Sequence, residues 1–161
     1  MLTLSDYDHL ELTLIDNKIT SYVDIPTCCS LKTFHQRLIT KIPKLYILKE
    51  DNDYLYVGTT SQSLTSRMRY GLTVHGKSGY HGYKWKAKEK VTLFVWRFIE
   101  LSKLEIENIE AELVFLIRQK TGKWPLHQNE IHFNNNFSDA KILADELYRA
   151  TKHIRLIRET K

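Results

Sequence analysis

The chain has 161 residues, 42% of them apolar, which suits one folded domain and excludes a wholly disordered tail. No apolar run approaches membrane-spanning length, and no basic stretch followed by an apolar core opens the sequence. The expectation is therefore a cytoplasmic protein with no membrane partner. A net charge of +5 points mildly to a polyanionic partner, and the two adjacent cysteines, Cys28 and Cys29, suit neither a disulfide nor a zinc site and read as reduced thiols in a small apolar patch.

From Leu10 to Ile25 the sequence alternates weakly around Asp16-Asn17-Lys18, which predicts a hairpin. Ser30 is placed to cap a short helix through Leu38, ending before Pro43. Residues 1–42 thus read as an extension to a main domain over 43–135. Lys44 to Lys49 and Tyr54 to Val57 read as two strands joined by Glu50-Asp51-Asn52-Asp53. Strict alternation puts Leu45 and Ile47 on one face, with Leu55 and Val57, and puts Tyr46, Tyr54 and Tyr56 on the other.

Thr59 to Ser63 is hydroxyl-rich and supplies a cap for a helix from Leu64 to about Tyr70, ended by Gly71. His75 to Trp85 is a Gly- and aromatic-rich loop. Val91 to Ile99 is apolar on both faces, the mark of a strand covered on both sides. Apolar residues at 106, 109, 113, 116 and 117 give Lys103 to Lys120 a helical period, with Gly122 and Pro125 beyond its end. Asn134-Asn135-Asn136 is a polar break. Ser138 precedes a last helix to about Arg155, with Ile142, Leu143, Leu147 and Ile154 as its buried stripe, so 136–161 reads as a C-terminal helix packed on the domain. The fold class is α/β in the broad sense (α+β): a small three-stranded antiparallel sheet flanked by helices.

Charge is concentrated. Between Leu64 and Arg97 stand eight cations (Arg67, Arg69, Lys77, Lys84, Lys86, Lys88, Lys90, Arg97) and one acid, Glu89, a segment of net +7 in a chain of +5. Such a segment suits phosphate contact, and it equally describes a solvated charged face.

Lys44-Leu45-Tyr46 and, after nine intervening residues, Tyr56-Val57-Gly58 resemble the two signature tripeptides of the GIY-YIG endonuclease family. The tract from Gly58 to Arg67 resembles the family's path from the second tripeptide to its helical arginine. Glu110 and Glu112 offer its acidic position, and Asn129 matches the polar residue that closes the domain. The likeness covers roughly Pro43 to Phe133, with Lys44 standing where the family usually has Gly.

The resemblance implies a metal-dependent DNA endonuclease, a phosphodiester hydrolase using one Mg²⁺ or Mn²⁺ per site on double-stranded or branched DNA. Glu112 is the preferred cation ligand, through its acid-x-x-apolar-apolar pattern with Phe115 and Leu116, and Glu110 is the runner-up. Arg67 is expected to contact the scissile phosphate, Tyr46 to help activate the attacking water, and Tyr56 to hold that water or a phosphate oxygen. Both tyrosines could instead simply pack against helices. Gly58 would admit close backbone approach, and Asn129 would tie the last loop to the sheet or the glutamate. His75 is a candidate proton carrier, or a DNA contact or plain loop histidine. Arg69, Lys77, Lys84 and Lys86 are candidate DNA contacts. Tyr80, Tyr83 and Trp85 suit base stacking or pin the loop to the core. One residue set per chain cuts one strand, so a double-strand break implies a homodimer or two visits. The alternative is a nucleic-acid-binding module of the same fold that does not cleave.

Overall fold

The computed structural model describes residues 6–76, 81–128, 131, 133 and 137–152. Asp16 and Asn17 both adopt positive φ, 49° and 58°, as the tightest hairpin turns require. They join β1 (Tyr7–Ile15) to β2 (Lys18–Asp24). Cys29–Leu31 forms β3, paired to β2, where a helix capped by Ser30 was expected. Only Gln36–Leu38 turns helically there, as a single 3₁₀ turn. Cys28 and Cys29 are free thiols, both exposed.

β4 (Lys44–Glu50) and β5 (Asp53–Thr60) form the second hairpin, and β6 (Lys90–Arg97) pairs with β4. The sheet does not stop at these three strands. β1 pairs along the other edge of β6 from Tyr7–Trp96 to Thr13–Lys90, giving a six-stranded antiparallel sheet in the order β3-β2-β1-β6-β4-β5. The expected three-stranded sheet is thus half of the sheet formed, and the segment read as an extension, 1–42, supplies the other half. The reason lies in β6, whose apolar residues on both faces demand neighbours on both edges as well as cover above and below.

Two apolar layers cover the sheet. On one face Leu10, Leu12 and Leu14 of β1 join Tyr46, Leu48, Leu93 and Val95, closed over by Leu64, Met68 and Leu72 of α1 (Leu64–Thr73), with Phe34, Leu38, Tyr83 and Trp85 from the loops. On the other, Leu45, Ile47, Val57, Phe94 and Trp96 meet α2 (Lys103–Thr121) and α3 (Ala140–Ala150). Each fully buried aliphatic side chain contributes ~1.5–3 kcal/mol. α2 starts in a capping box, Ser102 with Glu105. α3 packs through Leu143, Ala144 and Leu147, while Ile142 of the expected stripe faces solvent and Ile154 lies outside the described residues.

A bulge in β5 alters the expected faces. Leu48 pairs with Tyr56 and the next residue, Lys49, pairs with Tyr54, so Leu55 is an extra residue. Tyr54 is thereby turned to the α2–α3 side and Leu55 to the side of Tyr46 and Tyr56. Tyr54 leaves the phenol face and bonds Thr151 by its hydroxyl at 2.7 Å. The segment after α2 then runs along the outer edge of β5. Leu126 N donates to Tyr54 O at 2.9 Å, His127 N to Leu55 O at 2.8 Å, and Gln128 Oε1 accepts from Val57 N at 3.1 Å. These bonds cover the sheet edge and carry Gln128 to the site described next.

Candidate active site at the edge strand

Tyr46 on β4 stands opposite Gly58 on β5. A Cβ at Gly58 would lie 2.6 Å from both the Tyr46 hydroxyl and Cε1 of Tyr56, so only glycine lets the two phenols close over this strand. A third phenol joins them. Tyr83 N donates to Gly71 O at 2.7 Å, and the Tyr83 ring lies where a Cβ of Gly71 would be, 2.0 Å from Cε2. Gly71 therefore does not end α1 but admits Tyr83 against it. The Tyr46 and Tyr83 hydroxyls are 2.8 Å apart, the Tyr56 ring is 5.6 Å from that of Tyr83, and Trp85 stacks on Tyr83 at 4.9 Å.

Arg67 reaches this cluster from the first turn of α1, which Ser63 caps by accepting from Ser66 N. Its guanidinium lies 5.5 Å from the Tyr83 ring centre and within electrostatic reach of Tyr46. Burial works against its charge, but the phenols of Tyr46 and Tyr83 outweigh burial and hold its pKa above the ordinary value. Its Nε is buried with no hydrogen-bond partner among the described residues. Burial, followed by the Tyr83 charge, pushes the Tyr46 phenol well above its usual range, with Arg67 opposing.

The acid that meets this group is Glu110, from the opposite side of the sheet. Thr59 Oγ1 donates to Glu110 Oε2 at 3.2 Å, and Gln128 also bonds the carboxyl group. Glu110 keeps some accessible surface, yet protein crowds its carboxyl group. Burial pushes its pKa up to about 7, with Glu107 adding to the rise while Thr59, Arg67 and Gln128 oppose it. Phenols and a guanidinium in one layer and a carboxyl group in the other thus lie to either side of the edge strand β5, with Arg67 near enough to act on the charge of Glu110.

No family model, curated protein or solved structure matches the chain.

The other expected site residues lie as follows. Glu112 points away from the cluster, into a cavity it lines with Asn108, Ser138 and Lys141 beside α3. Two residues along a helix is about 200° of rotation, so Glu110 and Glu112 cannot share a target. Glu110 lies in line with Ile106, Leu113 and Ile117, which face the sheet. His75 is exposed beyond the end of α1, whose last residue is already ~9 Å along the axis from Arg67. Asn129, Lys77 and Tyr80 lie outside the described residues. Tyr83 and Trp85 are buried, which removes them as stacking platforms and assigns them to pinning the loop.

Three cations of the basic segment are answered by acids from elsewhere in the chain. Lys88 pairs with Glu50 at 2.6 Å, Lys90 with Glu11 at 2.9 Å and Arg97 with Asp6 at 3.0 Å. Lys86 Nζ donates to His81 O at 3.1 Å and ties its own loop. Arg69 and Lys84 remain exposed. Lys44, at the family's glycine position, is fully buried and donates to the carbonyls of Thr40, Ile42 and Gln62 at 2.6, 2.7 and 3.2 Å. Burial, with Arg97 adding to it, lowers its pKa to about 8.

Among the described residues no group of three His, Cys, Asp or Glu could enclose a metal ion. A cation here would have one protein carboxylate, Glu110, and would otherwise take water and substrate oxygens, which suits Mg²⁺.

Proposed function

We propose that the chain is a divalent-metal-dependent DNA endonuclease of GIY-YIG type, with Glu110 rather than Glu112 as the cation ligand. The observation that carries this reading is the convergence of Tyr46, Tyr56, Tyr83, Arg67 and Glu110 around Gly58, from segments far apart in the chain. A bound cation would supply Lewis-acid stabilisation of the phosphate. Arg67 shares the charge developing on that phosphate through its fixed donors. Tyr56, partly exposed, positions the attacking water or a phosphate oxygen. Tyr46, buried and bonded by its hydroxyl to Tyr83, does not meet the water as expected but supports Tyr83 and Arg67 from within the layer. Thr59 and Gln128 orient the carboxyl group of Glu110.

One observation favours the second reading, a nucleic-acid-binding module that does not cleave: the Tyr46 hydroxyl is fully buried and occupied by Tyr83. Incubation with supercoiled plasmid and with branched DNA, in Mg²⁺ or Mn²⁺, separates the two. Cleavage is expected from the unaltered chain and a drop of ~10²–10³-fold from Arg67→Lys, with DNA affinity little changed. Binding without any nicking on either substrate leaves the binding module.

A further inference from the structure

Lys44 is fully buried, and a buried ammonium is costly unless its protons are bonded. An ammonium carries three N–H donors, and here they meet three acceptors, the carbonyls of Thr40, Ile42 and Gln62. No donor is left over for a ligand. The role of the side chain therefore lies in what it ties together.

Two of the acceptors belong to a segment that the core already holds. Thr40 Oγ1 donates to Arg37 O at 2.8 Å, next to buried Leu38, and Phe98 N donates to Pro43 O at 2.9 Å. The third belongs to the loop between β5 and α1, where Ser61 and Gln62 are exposed. That loop leads straight into the helix that carries Arg67. Ser63 caps α1, and Arg67 N donates to Ser63 O at 3.0 Å in its first turn. Lys44 and Tyr46 stand two residues apart in β4, so both face the α1 side of the sheet. β4 thus reaches the start of α1 from two successive positions of one face, from Lys44 through Gln62 and from Tyr46 close to Arg67. A glycine at position 44, as the family resemblance expects, has no side chain with which to make the first of these links.

We infer that Lys44 is a positioning residue: through the Gln62 carbonyl it fixes where α1 begins over the sheet, and so where Arg67 stands against Tyr83. The inference rests on the nuclease reading for the use made of Arg67, and the link itself does not depend on cleavage.

The test follows the Arg67 Nε–H signal by NMR, together with plasmid cleavage in Mg²⁺, in Lys44→Met and Lys44→Ala. Arg67 Nε is buried, so in the unaltered chain its proton is expected to exchange slowly with water. Lys44→Met fills the space and bonds none of the three carbonyls. The Arg67 signal is expected to shift and to exchange about tenfold faster or more, with cleavage down ~10–10²-fold and DNA affinity little changed. A merely structural role would lower the melting temperature and leave both readouts unmoved below it. Propylammonium supplies the atoms that Lys44→Ala lacks, and is expected to restore the Arg67 signal in that variant where propanol does not. Should neither variant fold, the Lys44 Nζ protons of the unaltered chain decide: slow exchange supports the link, and averaging with water overturns it. An unchanged Arg67 signal in Lys44→Met, full cleavage despite a shifted signal, or equal rescue by propanol overturns the inference. A shifted Arg67 signal in a chain whose unaltered form cuts no DNA supports the link and counts against the nuclease reading alone.

Discussion

Glu110 shows most clearly how single residues shape the chemistry. Its carboxyl group titrates near pH 7 in the folded chain against an ordinary value of 4.5, chiefly through burial. For an acid raised on folding, the folded state holds its proton longer than the unfolded one. Stability is therefore full below pH 4.5 and is lost as pH rises through 7. A pKa unit is ~1.4 kcal/mol, and with partial exposure discounted the loss is on the order of 1–2 kcal/mol. Thermal melts at pH 5 and pH 8 are expected to show it, to show a smaller difference in Glu110→Gln, and to show Mg²⁺ restoring stability at pH 8 only where Glu110 is present. An equal pH response in both proteins would count against a strained, cation-ready carboxyl group. Tyr46, Tyr56, Gly58 and Arg67 were singled out through the family resemblance, whose motif runs along one hairpin and the helix after it. Tyr83 was not, since its place depends on a loop folding back across Gly71, and no local pattern encodes that return. The choice between Glu110 and Glu112 turned on helix phase. Reading Leu116 as core put the stripe too far round, whereas Ile106, Leu113 and Ile117 set the buried face.

Among the elements, β5 decides the site. Its hairpin with β4 was legible from turn residues, but its extra residue at Leu55 was not, because a bulge leaves the apolar composition unchanged. Gly58→Ala would drive a methyl group into Tyr46 and Tyr56. We expect a loss of ~1–3 kcal/mol in denaturant unfolding and a larger loss of activity than of stability, because the displaced groups are the site itself. The basic segment carries a second lesson at this scale. Charge counted along the chain overstated the free charge, because the acids that answer Lys88, Lys90 and Arg97 come from β4, β1 and the segment before β1. Lys84→Ala is expected to reduce the salt slope of DNA binding by about 1, and Lys90→Ala to leave it nearly unchanged. Equal slopes for the two variants would mean that the ion pairs open when DNA binds.

Across the whole molecule, the N-terminal hairpin is part of the fold. β1 is hydrogen-bonded on both sides, and Leu10 and Leu12 are fully buried beneath the same layer that holds Tyr46. Weak alternation in this segment concealed its role, since half of the evidence for it lies in the unmet edge of β6. A chain lacking residues 1–42 is expected to give no dispersed amide spectrum, and a folded truncated chain would restore the reading of this segment as an extension. The sheet that results ends at β5, and the proposed site is built from side chains of both covering layers at that edge. Cleavage of plasmid and branched DNA by Glu110→Gln and Glu112→Gln, measured side by side with the unaltered chain in Mg²⁺, tests that convergence most directly. The account predicts loss by ~10³-fold or more in Glu110→Gln with Glu112→Gln close to unaltered. Full activity in Glu110→Gln, or loss confined to Glu112→Gln, would contradict it.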